Sequence, residues 1–152
     1  MADDVDRALL STLMDRGRAT WAQLSGRVGL TAPSVTERVR KLERAGIIRG
    51  YEAVVDPTSV GYGLLAYVSV EAAVAFDPPE FFERVAETRE IQECHLLTGD
   101  YDYLLKVRCR GSAHLYELLQ AIQGWPGVGH TRSAVVLKTA KETRAVPLDA
   151  ME

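Results

Sequence analysis

A chain of 152 residues, 47% of them apolar and 26% charged, holds enough material for one average domain or two small ones and excludes a disordered or fibrous polymer. The formal net charge of −3 is unevenly spread: residues 16–50 carry eight Arg or Lys against two Glu, whereas residues 51–152 carry nine basic and fifteen acidic side chains. One half can approach a polyanion, and the other stays in solution or binds something else.

Asp3 and Asp4 precede a first predicted helix that buries Val5, Leu9, Leu10, Leu13 and Met14 and stops at Gly17. From Thr20 to Tyr51 the chain reads TWAQLSGRVGLTAPSVTERVRKLERAGIIRGY. Leu24 and Val28 share a face of a second helix, Gly29 supplies a sharp turn, Leu30 plugs the corner and Thr31 can cap a third helix. In that helix Val35, Val39 and Leu42 recur at intervals of four and three, while Thr36, Glu37, Arg40, Lys41 and Arg44 fall on other faces. Gly46 ends it, and Ile47, Ile48, Tyr51 and Val54 suit a short hairpin packed against it. Two helices about a tight turn followed by a ribbon make a winged helix-turn-helix, a frame that reads DNA. Ser34 and Thr36, near the start of the third helix, are the candidates for base edges; Arg40, Lys41 and Arg44 are placed to hold phosphates. Thr31, Glu37 and Arg38 complete the candidate surface, although Arg38 lies close enough to the buried stripe to pair with an acidic neighbour instead.

Asp56, Pro57, Gly61 and Gly63 break both periodicities, so the expected domains are residues 1–55, a linker over 56–63, and residues 64–152. Beyond the linker, Leu64 to Val74 reads as a strand, and Pro78 and Pro79 open a helix made amphipathic by Phe81, Phe82, Val85 and Ala86. Ile91 to Thr98 and Tyr103 to Cys109 read as strands about a Gly99-Asp100-Tyr101-Asp102 turn. Ser112 can cap a helix that buries Leu115, Leu118, Leu119 and Ile122, Gly124 to Gly127 stops it, and Val128 to Lys138 is a last strand. The order βαββαβ is that of ferredoxin-like folds, which makes the chain an α+β protein. Two helices cover only one face of four strands, so the other face calls for self-association.

Asp3, Asp4 and Asp6 stand where a signal peptide would be basic, and no apolar run approaches the ~20 residues of a membrane span; a cytoplasmic protein is expected. Cys94 and Cys109 lie nearly symmetrically about the turn and suit a reduced, partly buried pair facing each other. His95, His114 and His130 lack metal-ligand spacing and an evident acid partner, so no metal or other cofactor is expected.

Taken together, these motifs resemble the Lrp/AsnC, or feast/famine, transcriptional regulators. The resemblance runs from Asp3 to Leu10, through Arg18, Leu24 to Leu30, Glu37 to Ile48, Gly50-Tyr51, Asp56-Pro57 and Gly61, to Thr98 to Tyr103. It implies a DNA-binding head joined to a ferredoxin-like sensor domain, dimers through the sheets with further assembly to tetramers or octamers, and no enzyme. It also implies an amino acid or related small metabolite bound between subunits near Gly99 to Asp102. On that basis Thr98, Gly99, Asp100, Tyr101 and Asp102 form the candidate ligand loop, with Thr131 and Ser133 adding hydroxyl contacts. Two positions depart from the family: Ser34 stands where many members have proline, with Pro33 one place earlier, and Ser25 replaces a common alanine. Two other readings stay open. One is a siroheme-decarboxylase-like enzyme of the same architecture, which needs histidines and arginines gathered round a macrocycle; the other is an architectural protein that binds DNA with little sequence preference.

Overall fold

The computed structural model describes residues 3–74 and 76–151. Three helices come first, α1 (Asp4–Asp15), α2 (Trp21–Val28) and α3 (Ala32–Arg44). Then follow β1 (Leu64–Ala72), α4 (Pro78–Glu87), β2 (Ile91–Leu96), β3 (Tyr103–Cys109), α5 (Ser112–Gln123) and β4 (Val128–Val135). The chain divides into two compact units, one running to Val54 and taking in the segment from Lys141 on, the other spanning Val55–Ala140.

Local chemistry sets the ends of the first three helices. Asp3 and Asp6 cap α1 reciprocally, with the Asp6 N–H donating to Asp3 Oδ1 at 2.9 Å. Thr20 and Gln23 do the same for α2, through bonds of 2.9 and 3.2 Å. Gly29 closes α2 at φ 69°, a left-handed conformation that only glycine adopts without strain, and so turns the chain into α3. Thr31 caps α3. Leu9, Leu24, Val35 and Val39 are fully buried together, with Val5, Leu13, Ala19, Val28, Leu30 and Ile48 packed round them. Each such side chain contributes about 1.5–3 kcal/mol when fully buried. Met14, expected inside, is 39% exposed. The Ser25 hydroxyl is buried with no hydrogen-bond partner among the described residues.

The ribbon expected from Ile47 to Val54 is not formed as strands: the described residues between Arg44 and Leu64 contain none. Ile48 packs on the core of the head, but Ile47, Tyr51 and Val54 are exposed. A ribbon needs a second strand to pair with, and this stretch of the chain offers none. The segment from Lys141, expected in the second domain, groups with the head instead. Arg144 pairs with Glu52, and Arg7 donates to the Met151 carbonyl at 2.6 Å. The last strand ends at Val135 rather than Lys138 because β1 begins at Leu64 and the final ladder bond runs from Val136 N–H to Leu65 O.

The second unit is an antiparallel sheet in the order β2-β3-β1-β4. Ala66, Val68, Val70, Leu105, Val107 and Cys109 turn one face towards Phe81 of α4 and Leu115, Leu118 and Ile122 of α5. Rings of Phe76, Phe81, Phe82, Tyr103 and Trp125 close one end of this core, with centroids 4.8–5.8 Å apart. Gly129 gives a close fit near the start of β4, since a Cβ there would lie 3.3 Å from the Glu71 carbonyl oxygen. Ser112 does not cap α5; Gly111 holds that position and offers no side chain to bond. Cys94 lies opposite Leu105, and Cys109 opposite Leu64 on the other neighbouring strand, so the two thiols do not face each other. The hairpin closes between Leu97 and Asp102, and that register moves the symmetry point away from the cysteines. Alternation leaves Tyr67, Ser69, Leu104, Lys106, Arg132 and Ala134 on the face that α4 and α5 do not cover.

Candidate nucleic-acid interface and effector site

Side chains on α3 advance by about 100° per residue, so the buried Val35, Val39 and Leu42 fix which residues look outward. Pro33, Glu37, Arg40 and Arg44 lie opposite that stripe, flanked by Ser34 and Lys41. Ser34 to Arg44 covers about 15 Å of helix, uncharged at its start and cationic at its end. That is enough to read the floor of a ~12 Å major groove with one end and grip its wall with the other. Arg40 and Lys41 are exposed and have no ion-pair partner among the described residues. Arg44 donates to Glu37 Oε1 at 2.7 Å. The hydroxyls near the start of α3 are partly engaged: those of Thr31 and Ser34 lie 3.0 Å apart, with Thr31 also capping the helix, and the Thr36 hydroxyl donates to the Ala32 carbonyl at 2.8 Å.

Arg38 leaves the outward set. Its Nη1 donates to Asp3 at 2.7 Å and to the buried Asp6 at 2.9 Å, joining the start of α1 to the middle of α3. The backbone N–H of Asp6 and the Arg38 guanidinium hold Asp3 below the usual carboxylate range, and the two carboxylates push Arg38 up. Because the folded value for Asp3 is depressed, this stabilisation is complete above the unfolded value of 3.8 and is lost as pH falls through the lower folded one. Arg38→Gln is expected to lower Tm by several degrees at neutral pH and to remove part of the acid sensitivity below about pH 4. The salt slope of DNA binding should not change. Urea melts between pH 2 and 7 and anisotropy titrations check both; a flatter salt slope would make Arg38 a phosphate contact after all.

In the second unit a concavity of about 420 Å3 opens between the Leu97 to Tyr101 loop and the uncovered sheet face. Thr98, Gly99, Asp100, Tyr101 and Ser133 line it; Asp102 and Thr131 do not. Asp102 serves the turn, its Oδ2 accepting the Ala72 N–H at 2.7 Å and its own N–H donating to Val70 O at 3.0 Å. Thr131 opposes core residue Val70 in the ladder. Sequence reasoning missed Tyr67, Ser69, Leu97, Arg132 and Ala134. Tyr67 and Ser69 alternate with buried Val68 and Val70, a visible signal; that Arg132 stands beside Ser69 depends on the register of β1 with β4. Gly99 has φ 136°, another conformation that favours glycine.

The histidines do have acidic neighbours, contrary to expectation: His95 lies 3.2 Å from Glu93 and His114 lies 3.3 Å from Glu90. They do not converge, since His95 is on edge strand β2, His130 on the opposite edge strand β4, and His114 on α5. Among the described residues no helix is long and apolar enough to cross a membrane.

The winged helix-turn-helix DNA-binding family matches residues 3–49, and the Lrp/AsnC ligand binding domain family matches residues 65–146. The chain belongs to the Lrp/AsnC family. This Lrp/AsnC protein is 40% identical to the leucine-responsive regulatory protein of Escherichia coli, over 93% of this chain and 88% of that one. It is 36% identical to HTH-type transcriptional regulator FL11 of Pyrococcus horikoshii, over 96% of each. A Neisseria meningitidis transcriptional regulator solved in complex with L-Met superposes with a TM-score of 0.94 at 34% identity, covering 98% of each chain. A feast or famine regulatory protein of Mycobacterium tuberculosis complexed with L-methionine gives 0.85 at 35% identity, over 95% of this chain and 97% of that one. Its relatives are named as transcriptional regulators, and this Lrp/AsnC chain is a DNA-binding regulator of transcription of the same kind.

Proposed function

We propose that this regulator binds duplex DNA through Ser34, Arg40 and Lys41, with Arg44 paired to Glu37 beside them, works as a homodimer or larger assembly, and changes DNA affinity or assembly when an α-amino acid occupies the concavity beside Gly99. The observation that carries the effector reading is the lining. A carboxylate, Asp100, and a guanidinium, Arg132, border the same space as the apolar surfaces of Tyr67, Leu97 and Ala134. Those groups match an ammonium, a carboxylate and an apolar side chain, the three parts of such a ligand. The scattered histidines favour this over tetrapyrrole chemistry. Occupancy acts as a switch through unequal affinity for two assemblies, because a ligand that binds both equally shifts nothing.

A thermal-shift series with the twenty amino acids, L-methionine first, tests the site, since a ligand that binds only the folded state raises Tm by mass action. In Gly99→Val the new Cβ meets nothing within 4 Å. It does force a β-branched residue into a positive φ, at a cost of about 1–3 kcal/mol, so the loop distorts while the sheet persists. The expected result is a loss of at least about tenfold in ligand affinity with Tm of the free protein lowered by only several degrees. Asp100→Asn and Arg132→Gln should each weaken binding as well. If no amino acid shifts the wild type, or all three variants keep full affinity, the effector reading fails.

A further inference from the structure

The outward face of α3 carries a single carboxylate. Glu43 lies on the flank and accepts the Tyr51 hydroxyl at 2.9 Å, whereas Glu37 stands opposite the buried stripe, 67% exposed and surrounded by Arg40, Lys41 and Arg44. Such a charge would be repelled by the phosphates on either side of a groove. Here it is not bare: Arg44 Nη2 donates to Oε1 at 2.7 Å from two turns further along, and that contact holds the Glu37 carboxyl below the usual range. One oxygen of the neutralised pair is engaged, and Oε2 remains to accept a hydrogen bond.

We propose that Glu37 is a specificity-determining residue of the recognition helix, and that its carboxylate, held by Arg44, reads cytosine in the major groove by accepting from the exocyclic N4 amino group. This rests on the DNA-binding reading above. Guanine and thymine present acceptors where cytosine presents the N4 donor, and adenine sets its N6 donor beside the N7 acceptor. A carboxylate is therefore met favourably by cytosine and opposed elsewhere. The position suits the task, since the base-reading part of a recognition helix is its N-terminal half and the phosphate-holding cations follow it here. The pair also suppresses indiscriminate binding, because an Arg44 held by Glu37 is one cation fewer for phosphates of any sequence.

The test uses the full chain. Sites are selected from a random duplex library with wild type and with Glu37→Gln, Glu37→Asp and Arg44→Ala. Affinities for the selected site and a scrambled duplex are then measured by anisotropy over a range of salt. In the wild-type consensus one position should be cytosine, and its replacement should cost roughly tenfold or more. Glutamine pairs with adenine through N6 and N7, so Glu37→Gln should move that position from cytosine to adenine. It should also bind scrambled DNA several-fold more tightly, with a salt slope steeper by about 0.9 for the freed Arg44. Glu37→Asp should keep the cytosine preference in weakened form, and Arg44→Ala should lower affinity for the selected site while cytosine remains preferred.

An unchanged consensus in Glu37→Gln overturns the proposal, as does a wild type with no sequence preference. Loss of binding in Glu37→Gln together with a clearly lowered melting temperature also overturns it, by making Glu37 a support for the helix. A wild type that shows no salt-dependent duplex binding at all sinks the DNA-binding reading itself, and so is a distinct result.

Discussion

Replacing both Arg40 and Lys41 by alanine lowers affinity for every duplex, operator or not, by on the order of a hundredfold at low salt. Both side chains are exposed on the outward flank of α3 and neither has an ion-pair partner among the described residues, so each is available to a phosphate. Each lost phosphate contact releases one fewer counterion. A plot of log affinity against log salt should flatten by about 1.8 per head, from two contacts at ~0.9 each. Sequence preference should survive, because these residues position the head and do not touch base edges. Ser34→Ala should do the converse, altering the selected sequence and leaving the slope alone. Anisotropy titrations at several salt concentrations separate the two; an unchanged slope in the double variant would remove Arg40 and Lys41 from the interface.

What could be read from the sequence was whatever near neighbours decide. The α2-turn-α3 motif is local: Thr20, Gly29 and Thr31 set ends and turn, and the spacing of Val35, Val39 and Leu42 sets the buried side, all within one short stretch. The same holds for β3, where strict alternation picks out Tyr103, Leu105, Val107 and Cys109. The readings that went astray depend on partners far away in sequence. The family resemblance puts Asp102 in the candidate ligand loop, yet its carboxylate bonds to the end of β1, thirty residues earlier. Arg132 went unnoticed because only the pairing of β1 with β4 brings it beside Ser69 and the Leu97 to Tyr101 loop. Cys94 and Cys109 were set opposite each other by counting from an assumed turn centre, and a small displacement of that centre changes every partner. The tail from Lys141 failed for a related reason, since periodicity does not report that Arg7 will hold the Met151 carbonyl. In each case the deciding contact is long-range, and hydrophobic pattern says only which side a residue faces.

Leu104→Asp is expected to convert the assembly to monomers at micromolar concentration and to weaken DNA binding by roughly 10²- to 10⁴-fold, the gain lost when linked sites are uncoupled. Leu104 sits near the middle of the uncovered sheet face, between Ser69 of β1 and His95 of β2, and shares that face with Tyr67 and the largely buried Lys106, which is paired to Glu93 at 3.2 Å. In a single chain the new carboxylate stays solvated and α4 and α5 still cover the other face, so the unit remains folded. Within a face-to-face dimer the same carboxylate meets its own copy across the two-fold and loses water without gaining a partner. A dimer presents two heads to half-sites about one helical turn apart, ~34 Å, or a multiple of it, and binding of the first head raises the local concentration of the second. Tyr116→Asp is the control, since Tyr116 is 64% exposed on α5, on the helical side of the sheet, and a charge there should leave both mass and affinity unchanged. Light scattering gives the mass and circular dichroism confirms the fold. If Leu104→Asp remains dimeric and binds its operator as wild type does, the uncovered face is not the surface through which this protein assembles, and the effector concavity beside it is not closed by a second copy.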